Sequence, residues 1–76
     1  MERFKVTVRG GDLDEARAAL ARSSIGSTYA ARGSDEPEVV AGVDARDSDE
    51  AMARVANVLP EGCRIEGVEP WPEDAS

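Results

Sequence analysis

Histidine is absent from this chain and cysteine occurs once, at Cys63. Without an imidazole the commonest transition-metal ligand and the usual general base are both missing. A nucleophile at Ser23, Ser24, Ser27 or Cys63 would therefore lack its customary partner. A single thiol excludes an intramolecular disulfide and a cysteine-rich zinc site. Cys63 reads instead as a small hydrophobe at the start of a strand. Long apolar runs are missing too: nothing approaches the roughly 18 residues of a membrane span. The opening MERFKV also lacks the apolar centre of a signal peptide. The expectation is a cytoplasmic protein that is not an enzyme, with no metal, no cofactor and no membrane contact.

Large apolar side chains are scarce. Apolar residues make up 41% of the 76, but 12 of them are alanine, and Phe4, Tyr29 and Trp71 are the only aromatic ones. At roughly 25 cal/mol per Å² of buried apolar surface, such a core leaves little margin over chain entropy. Burial of a further face against a second copy would add to it, so a homo-oligomer is expected.

Charge is plentiful and uneven. The net charge is −7. Residues 1–33 carry six Lys/Arg against four Asp/Glu, whereas residues 34–76 carry three against twelve. Phosphate backbones repel such a chain, which argues against direct nucleic-acid binding. Solubility, a basic protein partner, or imitation of nucleic acid suit it better.

The pattern of residues is more explicit than the composition. RFKVTVR (3–9) alternates strictly, with Phe4, Val6 and Val8 on one face, and reads as a half-buried strand. Gly10-Gly11 breaks it, and Leu13 to about Arg22 reads as a helix with Leu13, Ala16, Ala19 and Leu20 on one side. IGSTYAAR (25–32) is a second strand, GSDEP (33–37) a turn, and EVVAGVD (38–44) a third strand. A second helix is expected over 48–59, with Ala51, Met52, Val55, Val58 and Leu59 apolar, ended by Pro60-Glu61-Gly62. CRIEGVE (63–69) is the last strand.

A shift of 35 residues lays Val8 on Val43, Asp12 on Asp47, and Asp14-Glu15-Ala16 on Asp49-Glu50-Ala51. Two βαβ halves joined by a hairpin give an α+β, ferredoxin-like βαββαβ plan: a four-stranded antiparallel sheet with two helices on one face. One such domain is expected over 1–69, with 70–76 as a polar tail containing Pro and Trp.

The paired acidic clusters DLDEA (12–16) and DSDEA (47–51) invite a metal-site reading. Their position at helix starts accounts for them better. Asp12 and Asp47 fit the N-cap, Glu15 and Glu50 the return arm of a capping box, and Asp14 and Asp49 the favourable end of the helix dipole. Asp44 to Asp49 also lacks the ligand spacing and central glycine of a calcium loop. Gly10-Gly11 matches no phosphate-loop motif and reads as a tight turn.

By alternation the sheet face away from the helices carries Arg3, Lys5, Thr7 and Arg9, then Thr28, Ala30 and Arg32, then Glu38, Val40, Gly42 and Asp44, then Arg64, Glu66 and Val68. The Arg/Lys row of the first strand should face Glu38, Asp44 and Glu66 across the ladder. Base-stacking aromatics are missing from it, a second argument against RNA. Trp71, held between two prolines, is expected to cover a core edge or to anchor a partner.

The leading expectation is a small acidic protein-interaction module that self-associates and binds another protein, with Arg3, Lys5, Arg9, Arg32, Val40 and Trp71 as its protein-binding residues. One alternative is a regulatory domain that binds a small molecule at Gly10-Gly11 and Ser23, Ser24, Ser27 and Thr28. Another is an acidic decoy, of phage type, that blocks a nucleic-acid-binding protein.

Overall fold

Residues 2–30 and 37–71 are described by a computed structural model. Six elements follow in the order β1 (Glu2–Arg9), α1 (Leu13–Arg22), β2 (Gly26–Ala30), β3 (Glu38–Ala45), α2 (Ser48–Ala56) and β4 (Arg64–Pro70). The strands form one antiparallel sheet in the order β2-β3-β1-β4. Both helices pack on one face, giving the ferredoxin-like arrangement.

Alternation decides which side chains enter the core. Phe4, Val6 and Val8 of β1 sit opposite Val43, Ala41 and Val39 of β3, and all six are buried. Leu13, Ala16, Ala19 and Leu20 of α1 and Ala51 and Val55 of α2 close over them. The last turn of α2 is irregular: the helix ends at Ala56, yet the Val58 and Leu59 amides both still donate to the Val55 carbonyl. Val58 and Leu59 therefore reach the core, as their apolar spacing requires.

Both helix starts follow the expected capping at the N-cap itself. Asp12 accepts from the Glu15 amide at 3.1 Å, and Asp47 from the Glu50 amide at 2.8 Å. The return arm differs. Glu50 accepts from the amide of Arg46, one residue before the cap, at 3.0 Å, and Glu15 pairs with Arg22 at 3.7 Å. Because β1 and β3 are antiparallel, the two helices begin at opposite ends of the sheet. The two acidic clusters are thus far apart and form no common edge.

Gly10 and Gly11 both have positive φ, 83° and 62°. A Cβ on Gly10 would lie 2.8 Å from the Gly62 carbonyl oxygen, and one on Gly11 2.9 Å from the Gly62 carbonyl carbon and the Cys63 sulfur. The turn is built against the loop before β4, and only glycine satisfies both the angle and the space.

One strand departs from alternation. The β1–β4 register shifts between Thr7 and Val8: Thr7 faces Gly67 but Val8 faces Ile65, so Glu66 is the extra residue of a bulge. Beyond the bulge the phase reverses. Val68, expected on the open face, sits opposite Val6 and packs against the core, while Glu69 turns to the open face opposite Lys5.

Candidate functional site: the open sheet face and its edges

The face away from the helices brings together Arg3, Lys5 and Arg9 of β1, Val40 of β3 and Trp71 after β4. Arg32 lies outside the described residues. The cations there are already engaged. Arg3 Nε donates to Asp44 at 3.3 Å, and Arg9 Nε to Glu38 at 3.2 Å. Lys5 lies 3.6 Å from Glu69, and Arg9 and Arg64 lie 3.9 and 3.7 Å from Glu66. Sequence reasoning foresaw the pairs with Asp44, Glu38 and Glu66. It missed Glu69, because a bulge leaves no sign in an alternating pattern. Among the described residues this face balances Arg3, Lys5, Arg9 and Arg64 against Glu38, Asp44, Glu66 and Glu69. Most of the chain's acidity lies elsewhere. The exposed pairs contribute little to stability and chiefly fix register, whereas the Arg9–Glu38 pair is partly buried.

Trp71 does not cover the core layer. Its amide donates to the Arg3 carbonyl at 2.9 Å, extending the β4–β1 ladder past Pro70. The indole then lies across β1 on the open face, its Cζ3 3.4 Å from where a Cβ on Gly42 would stand. Trp71 thus fills the space that Gly42 leaves, and it remains 38% exposed.

Gly42 faces Gly26 across the β2–β3 ladder. A Cβ on Gly26 would meet nothing within 4 Å. A cleft of about 560 Å³ opens there, lined by Arg3, Gly26, Thr28, Asp44 and Trp71 among others, and reaching Arg54 of α2 and Ser23, Ser24 and Ser27 around the end of the sheet. The serine and threonine residues singled out from the sequence do meet. Gly10-Gly11 are at the opposite end of β1 and join a separate hollow with Pro37 and Arg64. Sequence reasoning missed the glycine pair and Arg54; a glycine inside each of two neighbouring strands was the available signal.

The two sheet edges differ in kind. β4 carries Arg64, Glu66 and Glu69, a bulge and a terminal proline, all of which obstruct addition of another strand. β2, Gly-Ser-Thr-Tyr-Ala, has no charge and no proline. Tyr29, 44% exposed, lies on its helix side with the Arg17 guanidinium 4.7 Å from the ring centroid. The Arg17 Nε is buried and has no hydrogen-bond partner among the described residues.

Cys63 is half-buried, and burial pushes its thiol up from the ordinary range, helped by the charge of Asp12. Such a thiol is a poor nucleophile at neutral pH. Among the described residues no three metal-ligating side chains converge, and no helix is long and apolar enough to cross a membrane. No protein-family model matches the chain, and no curated protein is significantly similar to it.

Proposed function

We propose that this chain is a small acidic, non-enzymatic protein-interaction module that self-associates, and that the β2 edge is where two copies meet. The observation that carries this reading is the contrast between the edges: β4 carries charges, a bulge and a proline, and the described residues of β2 carry none of these. An unobstructed edge offers a row of backbone donors and acceptors to any further strand. A second copy supplies the same row, and a two-fold axis through the middle of β2 sets neutral Thr28 beside its own counterpart. No like charges then meet within the paired strands, although each copy carries −7 overall.

Sedimentation equilibrium tests the reading. The unaltered chain is expected at twice the mass of one copy, and Thr28→Lys, which sets two ammonium groups together on the axis, as a folded monomer. Glu66→Lys on β4 leaves the dimer intact. A monomer at every concentration, or a Thr28→Lys variant that dimerises as well as the unaltered chain, contradicts it.

A further inference from the structure

We infer that the cleft beside Trp71 binds a small planar anion: an aromatic ring carrying a carboxylate or phosphate group. The inference goes beyond self-association and does not depend on it. Gly26 and Gly42 leave a strip of bare backbone on the open face, and Trp71 covers only the Gly42 half. The Gly26 half is an unfilled berth, floored by backbone and bounded by a partly exposed indole, the geometry in which a flat ring stacks. Its volume, about 560 Å³, lies in the range of small-molecule sites.

Charge and hydroxyl groups choose the anion. Two guanidinium groups, Arg3 and Arg54, line the cleft against one carboxylate, Asp44, a local excess of positive charge in an acidic chain. Arg3 holds Asp44 through Nε at 3.3 Å, and Arg54 holds Glu50 at 3.8 Å. A guanidinium has five N–H donors, so each has others to offer. Ser24 supplies a hydroxyl from a left-handed backbone position, φ 62°, where glycine would be at ease.

Trp71 is the chain's one tryptophan, so its fluorescence reports on the cleft alone. Titration of the full chain with adenosine monophosphate and with benzoate is expected to quench it saturably with one or both, which identifies the anion. Adenosine and inorganic phosphate, each having half the chemistry, should bind at least about tenfold more weakly. Gly26→Val, whose side chain enters open space in a strand, should keep its thermal stability and lose the quenching. Arg54→Gln, at an exposed helix position, should weaken it about tenfold, and Asp44→Asn should strengthen it. No saturable quenching by either aromatic anion at millimolar concentration, or quenching that survives both Gly26→Val and Arg54→Gln, overturns the inference. Binding by a chain that stays monomeric would refute the dimer and leave this site standing.

Discussion

Ser24 closes α1 in the manner of a Schellman motif: its amide donates to the Ala21 carbonyl, and the Ile25 amide to Leu20. The left-handed residue of that motif is usually glycine, and an L-residue there costs about 1 kcal/mol. Ser24→Gly is therefore expected to raise stability in urea unfolding by about 1 kcal/mol; an unchanged or lowered midpoint would mean that the serine side chain makes a compensating bond. The caps give the opposite sign. Asp12→Ala or Asp47→Ala removes the acceptor of one helix-start amide and should cost about 1 kcal/mol each. Loss of a bound metal without loss of stability would instead return these clusters to chemistry. The caps were legible because Asp three places before Glu at a strand-to-helix junction is a local rule. The destination of the Glu50 carboxylate was not, since it depends on where the chain preceding the cap turns.

At the scale of elements, α2 begins with a small charge network. The Arg46 backbone amide, then its guanidinium and that of Arg54, hold the Glu50 carboxyl below its ordinary range, partly offset by burial. A depressed folded pKa contributes stability above the unfolded carboxylate range and loses it as pH falls through the folded value. The stability difference between the unaltered chain and Glu50→Gln should accordingly be constant near neutrality and shrink as the solution is acidified; a difference that grows on acidification would refute the network. The turn between β1 and α1 is equally specific. Gly11→Ala meets both a positive φ and a collision at 2.9 Å, and should cost about 2 kcal/mol or more by thermal unfolding. Element order, faces and helix stripes were readable from periodicity alone. β4 was misphased after Glu66, because a bulge is settled by pairing between strands remote in sequence, here Thr7 with Gly67 and Val8 with Ile65. The position of Trp71 was illegible for the same reason: its berth is Gly42, 29 residues away, and no local rule joins them.

For the whole molecule the arrangement of charge matters more than its total. Among the described residues the open face is balanced, and the two acidic clusters cap helices at opposite ends of the sheet. Off the open face, Glu2, Asp12, Asp14, Glu15, Asp47, Asp49, Glu50 and Glu61 outnumber Arg17, Arg22, Arg46 and Arg54 among the described residues. Two copies joined at neutral β2 edges repel one another only at long range, so salt should tighten the dimer by screening. A complex with a basic partner would weaken under the same salt, and the direction of the salt effect separates the two. If β2 is the edge at which copies meet, hydrogen exchange at the β2 amides that point away from β3 will register it. Their protection is expected to rise with protein concentration while the outward amides of β4 stay unchanged. Exchange at β2 that is fast and independent of concentration would contradict it.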